Sequence, residues 1–408
     1  MEREVAVKIS RLVLLSGLLS SFLAPVAAQA EGMSDGVIKI GVINDQSGSL
    51  ADLSGVGSVI AAQLAIDEFN GAVNGVKVEL VSADHQNKAD IGSAIVRRWF
   101  TSEQVDAVAD ISNSSVGLAT VGLAVENNKV VLNTSGSSDF TGKACSAVSF
   151  QWAYSTYTNA AALTKAILSR SPKDWYLVTV DYAFGHQLSA DVRRIVEGGG
   201  GEITGETRFP INTPDFASVL IPAQRSKAEV VVLSSSGADT TNFVKQAAEF
   251  GLTRNQTLAT PTVWITEVDA MGLDVAQGLT FAVPFYWDLN DGTREWSKRF
   301  HERAGKMPTM QHAGTYSAVL HYLKAIQAAN TDDTETVVAK MRELPVEDNA
   351  FGSGWVRADG AMIHDFNLVR VKTPAESTGR WDYYEVLEHI KAEDVYPKLE
   401  DQSCSLIK

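Results

Sequence analysis

Val37-Ile38-Lys39-Ile40-Gly41-Val42-Ile43 runs directly into Asn44-Asp45-Gln46-Ser47-Gly48-Ser49. A short, nearly continuous run of β-branched residues, bounded by turn formers, is the pattern of a strand buried on both faces. Gln46-Ser47-Gly48 turns the chain. Residues 58–69 then place Ile60, Ala61, Leu64, Ala65 and Phe69 at helical spacing. Buried strand, polar loop and helix make the first part of a βαβ unit. The unit repeats: strands are expected at 76–81, 105–111 and 130–132, and helices at 89–100 and 116–126. Strands alternating with helices dictate right-handed crossovers and a parallel sheet.

The pattern then restarts. Helices are expected at 160–168, 187–196, 216–225 and 240–250, with strands at 175–180, 201–209, 229–233 and 257–264. A strand at 279–283 and helices at 295–304, 313–328 and 335–344 follow. Residues 349–372 differ: Gly352, Gly354 and Gly360, with alternation over Phe366–Val371, predict antiparallel strands. The chain is too long for one typical core, so two domains are expected. The fold class is α/β, with two doubly wound parallel-sheet lobes.

The first thirty residues read differently. Arg3, Lys8 and Arg11 precede a mostly apolar run over 12–26, and Ala28-Gln29-Ala30 has the small-x-small form of a cleavage site. That is the layout of a secretory signal peptide, 1–30. The alternative, a membrane anchor, needs about 20 unbroken apolar residues, and serines interrupt this run. The formal charge is -14, and removing a segment of net +1 leaves -15. A diffuse acidic excess disfavours nucleic acid and anionic lipid as partners. Cys145 and Cys404 are the two cysteines. In an oxidising compartment they predict one disulfide, the alternative being two free buried thiols.

In an open parallel sheet, ligands bind beyond the carboxyl ends of the strands. The loop 44–49, the run Ser112-Asn113-Ser114-Ser115 and the run Asn133-Thr134-Ser135-Gly136-Ser137-Ser138 all fall there, each before a helix. Ordinary helix capping explains any one of them. Three at one sheet edge favour a ligand, and hydroxyls beside helix-start amides suit a carboxylate or another oxygen-rich acceptor group. The second lobe repeats the theme with Asp181-Tyr182-Ala183-Phe184-Gly185, Ser234-Ser235-Ser236-Gly237 and Thr266-Glu267. A cleft between aromatic and hydroxyl-bearing walls suits a small amphipathic solute.

Chemistry is not indicated elsewhere. Gly198 to Gly201 follow a helix and precede a strand, the wrong order for a phosphate cradle. The seven histidines show no zinc-motif spacing with a third ligand. No Gly-x-Ser-x-Gly elbow or paired carboxylates argue for catalysis, so neither an enzyme nor a cofactor is expected.

Taken in order, several segments resemble the periplasmic leucine/isoleucine/valine-binding family of ABC-transporter solute receptors. They are Ile38-Lys39-Ile40-Gly41-Val42 with Ser47-Gly48, Ser135 to Thr141, Asp181-Tyr182-Ala183-Phe184-Gly185, Gln311-His312-Ala313-Gly314-Thr315-Tyr316-Ser317-Ala318, Phe351-Gly352-Ser353-Gly354-Trp355 and Trp381-Asp382-Tyr383-Tyr384. The resemblance implies two lobes joined by three hinge crossovers: lobe one from 37–155 and 283–347, lobe two from 156–282 and 349–372, and a tail, 373–408, packed back on them. It implies a monomer in the periplasm, a small-molecule solute and permease subunits in the inner membrane as partner. A sensor feeding a chemoreceptor or kinase is the alternative.

In amino-acid-binding relatives, first-lobe hydroxyls hold the ligand carboxylate. Here the matching residues are Ser114 or Ser112, and Ser137 or Ser135. Phe184 stands at an aromatic position of the second lobe, Ser236 at a position where tyrosine occurs, and Leu53 at an aromatic position of the first loop. Glu267 matches the acid that meets an ammonium. The segment 151–159, where relatives often carry an aspartate, contains no acid but offers Trp152, Tyr154 and Tyr157. These aromatics, with Phe184, Tyr286 and Trp287, suit an aromatic acid or amide as well as an amino acid.

Overall fold

The computed structural model describes residues 32–168 and 172–407. The expected signal peptide, 1–30, lies outside the described residues. The quoted stretch forms β1 (Val37–Asn44), and the first sheet adds β2 (Ala72–Val73), β3 (Val76–Asp84), β4 (Ala107–Ala109), β5 (Val130–Asn133) and β6 (Ser149–Gln151). Its order is β2-β3-β1-β4-β5-β6, parallel except for the β2–β3 hairpin. The crossovers α1 (Gly55–Asp67), α2 (Ala89–Thr101) and α3 (Ser114–Asn127) join its strands.

The second sheet contains β7 (Asp174–Val180), β8 (Glu202–Phe209), β9 (Val230–Ser234) and β10 (Thr257–Ala259), all parallel, in the order β10-β9-β7-β8. Helices α4 (Thr156–Leu168), α5 (Ala183–Gly198), α6 (Ala217–Ser226) and α7 (Ala238–Glu249) accompany it. In each sheet the chain winds outward both ways from one strand, β1 or β7. The loops that diverge there, after β1 and β4 and after β7 and β9, open the crevice in which such sheets bind ligands.

One expectation fails in this lobe. The strand expected at 257–264 stops at Ala259, because Pro261 has no N–H to give a ladder. A loop follows, and then α8 (Ile265–Met271) and α9 (Leu273–Ala276). After β11 (Thr280–Val283), the helices α10 (Asp291–Ala304) and α11 (Met310–Ala329) pack on α1 of the first lobe. Helix α12 (Thr334–Glu343) leads to β12 (Val346–Asp348), β13 (Gly352–Val356) and β14 (Met362–Ile363), an antiparallel set. Part of this stretch touches lobe one: the Gln151 N–H donates to Gly360 O at 2.9 Å. Strands β15 (Phe366–Val371) and β16 (Tyr384–Ile390) then pair antiparallel beside β11, and α13 (Ala392–Val395) follows. The disulfide between Cys145 and Cys404 is formed, its Cα atoms 5.5 Å apart.

The faces of β1 divide as a doubly covered strand requires. Ile38, Ile40 and Val42 enter the core that α1 and α11 cover, while Ile43 joins Trp99 and Phe100 on the other side. Gly41 lies against Trp99, and a Cβ there would stand 2.5 Å from the ring. Gly41→Ala is expected to lower stability by about 2 kcal/mol through overpacking, read as a lower urea midpoint with an unchanged slope.

Candidate functional site

The floor of the first lobe's crevice is a buried polar node. Asp110, fully buried just after β4, accepts from Asn44 Nδ2 (2.8 Å), Thr134 Oγ1 (2.6 Å) and Gln311 Nε2 (2.8 Å). These partners stand at the ends of β1 and β5 and in the first turn of α11. Neutral donors alone hold this carboxylate, and burial raises its pKa above the usual carboxylate range. The loop after β1 is braced in the same manner. Asp45 accepts from the Gly48 N–H at 2.7 Å, the Leu50 N–H at 2.9 Å and the Asn87 amide.

The hydroxyls predicted from sequence divide on this floor. Ser114, the first residue of α3, accepts through Oγ from the Ser137 N–H at 3.3 Å, so these two loops meet. Ser112 Oγ accepts from the Asp45 N–H at 3.0 Å. Ser137 Oγ accepts from the Asp139 N–H at 3.3 Å. Ser135 Oγ instead donates back to Asn133 at 2.7 Å. Gln151 ties the segment down by donating to the carbonyls of Ser135 (3.1 Å) and Ser137 (2.9 Å).

The second lobe brings up aromatics and one buried acid. Trp264 donates through Nε1 to Ser236 Oγ at 2.8 Å and meets Tyr154 edge-on, with centroids 5.5 Å apart. Phe184 stacks on Tyr182 at 6.1 Å. Glu267 is only 4% exposed. Its carboxylate accepts from the backbone N–H of Gly237 and from that of Trp264 at 3.1 Å. It is thus the third helical residue capping α8 as well as a cleft acid.

The lobes are in contact. The Ala238 N–H donates to Ser49 O at 2.9 Å. Asp191 accepts from Ser138 Oγ at 2.8 Å and from Thr156 Oγ1 at 2.7 Å. Gly136 of lobe one lies under Tyr154 and Phe184, whose rings a Cβ would approach to 2.6 and 2.8 Å. Gly237 sits against the Ser49 carbonyl, where a Cβ would stand at 2.3 Å. Between the loop at 48–53 and the starts of α7 and α8 lies a cavity of about 120 Å³, lined among others by Ser49, Leu53, Thr241, Thr266 and Glu267.

Lys306 pairs with Asp52 at one side of the cavity, but no lysine or arginine is among the groups that act on Glu267 or Asp239. Burial raises the Glu267 pKa well above the carboxylate range, and its two backbone donors only partly offset this. Burial also holds Asp239 up to about 6. The Tyr182 phenol is raised by burial and then by Asp239, Asp45 and Glu267, with no lysine or arginine among the groups acting on it. The folded Asp239 binds its proton more tightly than an unfolded aspartate. Its contribution to stability is therefore full below about pH 4 and is lost as pH rises through about 6. Asp239→Asn is expected to flatten the fall of the unfolding free energy between those pH values, measured by denaturant titration at each pH.

Other predicted residues go elsewhere. Leu53 and Glu267 share the cavity wall, and Phe184 and Ser236 reach the aromatic side. Tyr157 lies apart, under the Arg194 guanidinium at 4.5 Å. Trp152 is core, donating to Ser317 Oγ at 2.9 Å. Tyr286 and Trp287 both donate to Trp381 O, at 3.1 and 2.7 Å. Tyr182 and Trp264 were not singled out. Their signal was present, since each is an aromatic just before a helix start. Among the described residues, no group of three or more His, Cys, Asp or Glu is placed to hold a metal, and no helix is long and apolar enough to cross a membrane.

A family model described as periplasmic binding protein matches residues 37–379. A solved periplasmic binding protein from Burkholderia mallei is similar at 38% identity and a TM-score of 0.90, over 92% of this chain and 100% of that one. A branched-chain amino acid ABC transporter periplasmic ligand-binding protein from Burkholderia xenovorans is similar at 38% identity and a TM-score of 0.81, over 91% and 100%. Leu/Ile/Val-binding protein homolog 8 of Brucella abortus is 22% identical over 349 residues, 78% of this chain and 83% of that one. The two-lobed α/β architecture, the crevice at both switch points and these likenesses agree: the chain belongs to the periplasmic binding protein family.

Proposed function

We propose that this protein captures an amino-acid-type solute between its lobes in the periplasm and delivers it to the permease of an ABC importer. One observation carries the choice of solute. Glu267 is buried in the wall of an interlobe cavity, and the groups acting on it include no lysine or arginine. A buried carboxylate without a cation is costly in its charged form. A solute ammonium supplies that cation, and the resulting pair favours the closed lobes. The solute carboxylate then turns to the helix-start amides and hydroxyls around Ser114 and Ser137, and its apolar body to Tyr154, Tyr182, Phe184 and Trp264. The Burkholderia xenovorans relative, named for branched-chain amino acids at 38% identity, supports this class. The absence of an acid in 151–159 is met by Glu267 instead.

The test is a thermal-shift screen of the mature protein against amino acids, aromatic acids, amides and urea-like compounds, followed by calorimetry. A ligand of the native state raises the melting temperature by mass action. Amino acids are expected to shift it, and Glu267→Gln to weaken their binding at least about tenfold, roughly 1.4 kcal/mol. Aromatic acids or amides shifting it instead, with Glu267→Gln binding normally, overturns the ammonium assignment.

A further inference from the structure

We propose that residues 391–404, with the Cys145–Cys404 bond, form a fourth connection between the lobes that limits how far they part. It stands independently of the solute. The tail starts on the second lobe. Ile390 closes the ladder against Phe366, the Ala392 N–H donates to Asp365 at 2.9 Å, and α13 packs on α4. It then crosses the hinge. Tyr396 Oη donates to Met362 O at 2.8 Å, and Arg357 Nη1 donates to Pro397 O at 2.8 Å. Arg357 is itself paired with the buried Asp359. Tyr396, Pro397 and Gln402 share a small pocket with Gln151, Tyr154 and Ser155, on the hinge passage from β6 to α4 that joins the two lobes.

The tail ends on the first lobe. Gln402 and Ser403 lie beside Gly142, and Cys404, 4% exposed, is bonded to Cys145. Cys145 belongs to the loop between Phe140 and β6, three residues past Gly142, whose carbonyl accepts its N–H at 3.1 Å. The strap is therefore held by packing at one end and by a covalent bond at the other. Between them run hydrogen bonds from Tyr396 and to Pro397, and the packing of the Tyr396 ring on His364 and Phe366, each at 6.0 Å.

A hinge protein spends its opening motion on a few backbone torsions at the crossovers. A covalently fixed strap beside those torsions restricts their range. It raises the fraction of ligand-free molecules near closure, and apparent affinity scales with that fraction.

The experiment compares ligand-free protein in three states by small-angle scattering: oxidised, reduced with a phosphine, and Cys145→Ser/Cys404→Ser. Circular dichroism identifies the samples that remain folded, and the reduced wild type replaces the double variant should that variant unfold. Expected are a larger radius of gyration and a longer maximum dimension without the bond. Amide exchange at Thr156, whose N–H bonds to Gly136 O across the first crossover, is expected to quicken. Superimposable scattering curves and unchanged Thr156 exchange in folded, disulfide-free protein overturn the proposal.

Discussion

Gly237→Ala is expected to weaken solute binding about a hundredfold, roughly 2.7 kcal/mol, while both lobes stay folded. Gly237 has φ 76° and ψ -149°, a conformation that belongs almost wholly to glycine. It also lies at a close interlobe approach, with the Ser49 carbonyl 2.3 Å from where the alanine Cβ would stand. The backbone strain is present in open and closed forms alike, so it lowers stability but not affinity. The collision exists only when the lobes meet, so it opposes closure specifically. Calorimetry should show the lost affinity, and scattering of the saturated variant should show lobes that fail to close. Normal affinity with normal closure would mean that the two loops slide past each other at no cost.

Removal of the disulfide is expected to lower the unfolding free energy by about 5 kcal/mol on the chain-entropy account. The bond joins residues 259 positions apart, so it closes most of the chain into one loop and removes many conformations from the unfolded state. Urea unfolding with and without reductant measures the difference. A midpoint that does not move would locate the unfolded chain's order elsewhere. The loss should appear in a faster unfolding rate if the tail docks after the transition state.

The elements that sequence revealed best are those buried on both sides. The run at β1 reads as a strand because Val37 to Ile43 is apolar throughout apart from Lys39 and Gly41, and burial, not pairing, sets that composition. Strand β16 was missed for the opposite reason. Glu385 to His389 are exposed, so no hydrophobic period marks the strand, and only pairing with β15 defines it. Strand β6 is three residues long and leaves no period to count. At the site, the loops were legible because each follows a buried strand. The direction of each side chain was not. Ser135 and Ser137 are two apart in one run, yet one bonds back to Asn133 and the other caps the next turn. Tyr154 and Tyr157 lie in one segment, yet α4 begins between them and turns Tyr157 toward Arg194. Asn87, in the turn between β3 and α2, braces Asp45 from 42 positions away. Such partners come from the fold and leave no local trace.

The Asp110 node also fixes an order of assembly. Asn44 and Thr134 are synthesised early, but Gln311, which completes the node, lies 201 positions beyond Asp110. The whole middle lobe lies between these segments in the chain, so it must reach the compartment where the protein folds before α11 can cover α1 and satisfy that carboxylate. Until then the first sheet has an uncovered apolar face and an under-bonded acid at its edge. The first lobe is therefore the earlier to emerge and the later to be finished.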